Sequence, residues 1–242
     1  MADVVRLQKA IANAGLMSRR AAEDAIRENR VAVDGRTARL GDRVDVAAQQ
    51  VTLDGVPIPV NPDLETYLLY KPVGIISSAS DPQGRSTVVD LIETDARLYP
   101  VGRLDFDSEG LILLTNDGEL ANRVTHPRYG IQKKYLALVR GRPSQSDIRR
   151  LTEGVALEDG PARASSARVL DRKGDSTMVE LTMGEGRNRE VRRMLESIGL
   201  EVTRLVRTSI GPLNDRSLKP GESRLLSVGE ITELLASGDP RT

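Results

Sequence analysis

Apolar residues change their period along the chain. Val4, Leu7 and Ile11 recur at helical spacing, and Gly15 suits the end of that helix. Ser18 can cap a second helix over 19–29, with Ala22 and Ile26 on its inner face. The period then shortens. Val31-Ala32-Val33-Asp34-Gly35 reads as a strand and tight turn, and Val51-Thr52-Leu53-Asp54-Gly55-Val56 repeats the pattern. Pro57, Pro59 and Pro62 predict a stiff connector. Residues 1–60 are therefore expected to form a first domain and 61–66 a linker. Beyond it the pattern is mixed: 67–70, 111–114, 135–139 and 177–182 predict strands, and 143–153 and 188–198 predict helices. A second domain over 67–236 and a tail over 237–242 follow.

The stretch Gly102-Arg103-Leu104-Asp105-Phe106-Asp107-Ser108-Glu109-Gly110 precedes the most apolar strand, Leu111-Ile112-Leu113-Leu114, which reads as buried on both faces. Thr115-Asn116-Asp117-Gly118 closes it with turn chemistry, and Asp117 can cap a helix at 119–124. Charges beside such a strand are costly unless paired or used. On spacing alone, Arg103, Asp105 and Asp107 read as turn residues satisfied by their neighbours.

Composition removes several chemistries. The chain has 242 residues and no cysteine, which excludes disulfides and thiol nucleophiles. His126 is its single histidine, which removes Ser-His schemes, and it is assigned no role. No P-loop or dinucleotide fingerprint is present, so no cofactor or metal is expected. No apolar run approaches a membrane span and no signal pattern opens the chain, so the expected location is cytoplasmic, with no membrane partner. Net charge is zero, yet basic residues cluster: Arg123, Arg128, Lys133, Lys134, Arg140, Arg142, Arg149 and Arg150 face Asp147 alone between 121 and 150. Further clusters are Arg187, Arg189, Arg192 and Arg193, and Arg19 with Arg20. One Phe, five Tyr and no Trp leave few rings on which a row of bases could stack, so a nucleic-acid partner would have to be met through phosphate contacts, shape and one pocket.

Gly-Arg-Leu-Asp at 102–105, followed by Ser-Glu-Gly-Leu and Leu-Leu-Thr-Asn-Asp-Gly, resembles the catalytic motif of the pseudouridine synthases that modify bacterial ribosomal RNA. Tyr70-Lys71-Pro72-Val73-Gly74 resembles the first motif of that family. Lys133-Lys134-Tyr135-Leu136-Ala137-Leu138-Val139 resembles the segment with its active-site tyrosine, and 185–194 the segment with its basic residue, in the branch acting on the large subunit. The first domain resembles the alpha-L RNA-binding domain of a ribosomal small-subunit protein. The resemblance implies an α+β chain: a small N-terminal RNA-binding domain of two helices plus strands, then a catalytic domain with a mixed, mostly antiparallel sheet. It implies Asp105 as catalytic aspartate, Tyr135 as active-site tyrosine, and Arg6, Lys9, Arg19 and Arg20 as RNA contacts.

Pseudouridylation breaks the bond from ribose to uracil N1, turns the base and rejoins it through carbon 5, so the base must leave the stack. Asp105 can act as a nucleophile, or stabilise a cationic sugar and remove a proton. An ionised carboxylate in a partly apolar pocket requires a cation. A helical projection puts Val191, Met194, Leu195 and Ile198 on one face with Arg192 at its edge, so Arg192 is the expected partner of Asp105 and Arg187 the runner-up. Arg189 and Arg193 project toward solvent or RNA phosphate. Arg103 can fill the space the base leaves or hold its phosphate, and Lys133 and Lys134 are further substrate-binding candidates. The expected target is a uridine of 23S rRNA, free or in a large-subunit assembly intermediate, acted on by a monomer. Alternatives are a 16S rRNA synthase, a non-catalytic ribosome-assembly factor that binds RNA, and a glycosidase or nucleoside hydrolase using Asp105 and Asp107, roughly 7 Å apart on one strand face.

Overall fold

The computed structural model describes residues 4–14, 17–46, 48–58 and 64–238. The chain divides into two compact units: Met1–Glu65 with Thr94–Leu98 and Asn116–Gly118, and Thr66–Glu93 with Tyr99–Thr115 and Glu119–Thr242.

The first unit runs β1 (Val4–Arg6), α1 (Leu7–Asn13), α2 (Arg19–Arg27), β2 (Val31–Val33), β3 (Arg36–Thr37), β4 (Arg43–Asp45), β5 (Val51–Leu53) and β6 (Val56–Ile58). Val4 lies in a strand paired with β4, not in the first helix, because the backbone is still extended at Arg6. Gly15, the expected helix end, lies outside the described residues. The Ser18 hydroxyl accepts from the Ala21 amide and caps α2, as its sequence position predicts. The helix stops at Arg27 because Asn29 turns into the left-handed region and the Arg30 amide folds back to the Ala25 carbonyl. Asp34-Gly35 and Asp54-Gly55 carry the positive φ angles of tight hairpins. The core gathers Leu7, Ile11, Ala22, Ile26, Val31, Val44 and Val51. Pro57 is not in a connector; it sits on edge strand β6 opposite Thr52, where a missing amide is tolerated. Pro59, Pro62 and residues 61–63 of the expected linker lie outside the described residues, and Thr66 already begins the next strand.

The second unit continues with β7 (Thr66–Lys71), β8 (Tyr99–Val101), β9 (Glu109–Thr115), α3 (Gly118–Thr125), β10 (Lys133–Arg140), α4 (Gln145–Glu153), β11 (Val155–Leu157), β12 (Gly160–Ala162), β13 (Ser166–Lys173), β14 (Ser176–Met183), α5 (Glu190–Glu196), β15 (Glu201–Ile210), β16 (Ser223–Leu225) and α6 (Val228–Ala236). Its sheet is ordered β13-β14-β10-β15-β9-β7-β16, with β8 also paired to β9. Every pairing is antiparallel except β15 with β9. A capping box of Ser144 and Asp147 starts α4 at Gln145. Left-handed Arg189, φ 48°, delays α5 to Glu190. Of the expected tail, Ser237 ends α6 with its amide on the Glu233 carbonyl, and 239–242 lie outside the described residues.

The course of β9 positions the site. One of its edges pairs with β7 along its length. The other pairs with β15 at Glu109 and Gly110, then with β8 from Leu113 to Thr115. The connection from β8 to β9, residues 102–108, leaves the sheet at this change of neighbour. Gly110 permits the close approach of β15: its φ is 108°, and a Cβ there would collide with the Arg207 backbone. Among the described residues no helix is long and apolar enough to cross a membrane.

Candidate active site

The segment from Arg103 to Ser108 is held at every carbonyl. Arg207 Nη1 donates to the Arg103 carbonyl at 3.4 Å, the Ser77 hydroxyl to the Leu104 carbonyl at 2.8 Å and the Gly74 amide to the Phe106 carbonyl at 2.9 Å. Arg192 Nη2 donates to the Asp107 carbonyl at 2.9 Å. Lys71 Nζ reaches three carbonyls, of Asp105 at 3.1 Å, Ser108 at 2.7 Å and Pro72 at 3.0 Å. Ser108 closes a turn by donating its amide to the Asp105 carbonyl at 3.0 Å.

Inside this clamp the two aspartates differ. The Asp107 carboxylate takes both guanidinium nitrogens of Arg189, at 3.1 and 3.2 Å, and lies 3.4 Å from Arg192. Partial burial pushes its pKa up, but Arg189 and then Arg192 overcome that and hold it below the ordinary carboxylate value. The Asp105 carboxylate has no hydrogen bond or ion pair among the described residues. It lines an open cleft of about 120 Å³ with Arg103, Tyr135, Arg187, Arg189 and Leu205. Tyr135 is 7 % exposed and its hydroxyl has no partner among the described residues, so both its ring and its oxygen are available to a ligand.

Beneath the loop lies buried positive charge. Lys71 is 0 % exposed, and burial lowers its pKa to about 8 against the opposing pull of Asp105 and Asp107. Arg207, 4 % exposed, spends Nε on the Leu111 carbonyl at 2.6 Å. Lys71 is therefore a cation beside Asp105 to which the sequence motif alone assigns no role. Arg207 carries no motif at all.

Several expected placements change. Arg192 is buried, at 5 % exposure, but meets Asp107 rather than Asp105, because the backbone turns between them and its other nitrogen is taken by the Val202 carbonyl at 3.1 Å. Arg187 lines the cleft yet is tied to Glu190 at 2.9 Å and to the Asp159 segment. Arg193 does not project freely to solvent: it forms a two-point pair with Asp159 at 2.8 and 2.9 Å. Lys133 shares the strand face of Tyr135, but its ammonium donates to the Val124 carbonyl at 3.0 Å, and burial lowers its pKa to about 8. Lys134 points to the opposite face of the sheet, into a separate groove with Leu136 and Arg168. Arg103 is exposed at the cleft mouth, and its guanidinium has no partner among the described residues. His126 caps the short turn Pro127–Tyr129 by accepting from the Arg128 amide.

In the first unit Arg6, Lys9 and Arg19 line a shallow groove with Arg43, and none of Arg6, Lys9 and Arg19 is ion-paired among the described residues. Arg43 has no signal in the sequence pattern; strand pairing puts it opposite Arg6. Arg20 is exposed outside that lining.

The RNA pseudouridylate synthase family profile matches residues 65–197, and the S4 domain profile matches residues 5–51. The chain belongs to the RNA pseudouridine synthase family. It is 44 % identical over 238 residues to ribosomal large subunit pseudouridine synthase B of Bacillus subtilis, covering 97 % of each chain. It is 48 % identical to an uncharacterised RNA pseudouridine synthase of Mycobacterium leprae, covering 96 % of this chain and 93 % of that one. A crystal structure of a pseudouridylate synthase superposes with a TM-score of 0.67 at 30 % identity, covering 95 % of this chain and 99 % of the other. Pseudouridine synthases are isomerases, so the family assignment decides against a hydrolase and against a non-catalytic RNA-binding factor.

Proposed function

We propose that this synthase converts a specific uridine of 23S rRNA to pseudouridine, with Asp105 as the catalytic carboxylate and the target base flipped into the cleft. The observation that carries this reading is the Asp105 carboxylate itself. The loop around it is fixed at every carbonyl while the carboxylate stays without an internal partner. Such a group is preorganised for the reacting nucleotide and for nothing in the protein.

The residues divide the work as follows. Asp105 meets the ribose or the uracil, as nucleophile or as the base that takes a sugar proton while the bond from C1′ to N1 is broken. The uracil then turns and its C5 bonds to C1′. On the nucleophile route this releases the bond to Asp105; on the base route it follows return of the sugar proton from Asp105. The C5 proton leaves and N1 gains one, so the free carboxylate is restored. Tyr135 packs against the flipped ring, and its hydroxyl serves proton transfer. Arg103, free at the mouth, holds a phosphate beside the target. Arg192, Lys71 and Arg207 position the loop and do not touch the substrate. The basic groove of Arg6, Lys9, Arg19 and Arg43 supplies phosphate contacts. The large-subunit target rests on the 44 % identity to the Bacillus subtilis relative.

Mapping pseudouridines in 23S and 16S rRNA from cells with and without this protein tests the proposal. One 23S site should disappear with the gene and return with the wild-type chain but not with Asp105→Asn. Loss confined to 16S rRNA would move the substrate to the small subunit, and an unchanged map in both would overturn the rRNA assignment.

A further inference from the structure

Among the described residues, the exposed or half-buried side chains of the clamped segment without a polar partner are Arg103, Asp105 and Phe106. The first two have roles above. Phe106 is the single phenylalanine of the chain, and it is 55 % exposed. It occupies the tip of the turn closed by Ser108 on Asp105, and its carbonyl is fixed by the Gly74 amide at 2.9 Å. Val73, next to Gly74, is also 55 % exposed, so the turn carries a small apolar prominence. No aromatic ring or cation stacks on Phe106 among the described residues.

We propose that Phe106 is an RNA-contact residue whose ring stacks on a nucleobase flanking the uridine that enters the cleft. The inference rests on the pseudouridylation reading. Phe106 follows Asp105 on the same fixed turn, with Cα atoms about 3.8 Å apart, so its exposed ring is carried beside the mouth of the cleft where the strand flanking the target must run. The fixed backbone leaves only the ring's own rotamer freedom to be lost when it is covered. The rim favours nucleic acid over an apolar protein surface: Arg103 is exposed and has no partner among the described residues, and Arg189, paired with Asp107, is still 42 % exposed in the same cleft lining. An exposed aromatic ring near cationic side chains suits a base flanked by phosphates. Phe106 is thereby assigned to local selection and seating of the target, apart from the phosphate grip of the first unit.

The test uses the full chain with 23S and 16S rRNA carrying tritium at uridine C5, purified from cells lacking the protein. Tritium release gives kcat and KM, and filter binding on the same RNAs gives Kd. Phe106→Ala should lower kcat/KM about tenfold, mostly through KM, within the range for one base stacked on an aromatic ring. Phe106→Tyr should stay within about twofold of wild type and Phe106→Leu should fall between, because leucine keeps apolar bulk without a π-face. The side chain is exposed, so thermal midpoints should not move. Wild-type kcat/KM and Kd in Phe106→Ala would overturn the contact, and full activity in Phe106→Leu would overturn stacking. If the wild-type chain releases no tritium, the pseudouridylation reading fails separately. The Kd comparison then decides alone, and equal values for wild type and Phe106→Ala overturn the proposal.

Discussion

At the scale of single residues, two aspartates two positions apart have opposite fates. Asp107 is spent on Arg189 and Arg192, and the Asp105 carboxylate has no partner among the described residues. Asp105→Asn preserves shape and removes the charge, so the chain should fold normally and lose tritium release by about 10²–10⁴-fold or more. Asp107→Asn should lower the thermal midpoint, since Arg192 stays buried without its counter-charge, and cost less than about a hundredfold in rate. Abolition at both positions alike would contradict this division. Lys71 gives a second expectation. Its folded pKa is about 8, and the unperturbed value is 10.5. Below pH 8 both folded and unfolded chains hold the proton, and the penalty of burying it is constant. Between pH 8 and 10.5 the unfolded chain binds a proton that the folded chain has released, so this group's contribution to stability rises with pH. Urea unfolding of wild type and Lys71→Met should show the difference growing in favour of wild type by roughly 3 kcal/mol across that window. A difference flat with pH would contradict it.

At the scale of elements, the decisive junction is the two-residue parallel pairing of β9 with β15. Gly110→Ala would place a methyl group against the Arg207 backbone at a φ of 108°. It should destabilise the fold by roughly 1–3 kcal/mol or more in denaturant unfolding and depress activity by spreading the strands that fix the loop. Much of this layer is legible in the sequence. The unbroken apolar run of β9 announces burial on both faces, the two Asp-Gly turns announce hairpins, and Ser18 announces a helix start. The edge strand β13 is not legible, because its residues are largely exposed and its apolar alternation is weak. Nor is β15, whose pairing with β10 is broken by two register shifts. The site splits in the same way. Asp105 and Tyr135 come from contiguous motifs. The partner of Arg192 depends on which loop its helix edge meets, and a helical projection supplies direction without the facing surface. Lys71 and Arg207 act on backbone carbonyls, which carry no residue-type signature at all.

At the scale of the whole molecule, a chain of zero net charge can meet a polyanion only where its basic residues are locally concentrated. Replacing Arg6, Lys9, Arg19 and Arg43 together with glutamine should weaken rRNA binding and flatten its dependence on log salt by up to about 3, at roughly 0.7–0.9 for each phosphate no longer neutralised. Turnover at saturating RNA should persist, because Asp105 and Tyr135 are untouched. An unchanged salt slope would remove the groove from RNA binding. The clamp on the Asp105 loop has a further consequence in time. Arg103 waits for Arg207, 104 positions later, and the Asp107 carbonyl waits for Arg192, 85 positions later. At about 5–20 residues per second of synthesis, the loop leaves the ribosome roughly 4–20 s before these two arginines follow it. Until then Lys71, Gly74 and Ser77, made before the loop, are its only tethers among the described residues, and Arg192 and Arg207 complete the clamp last.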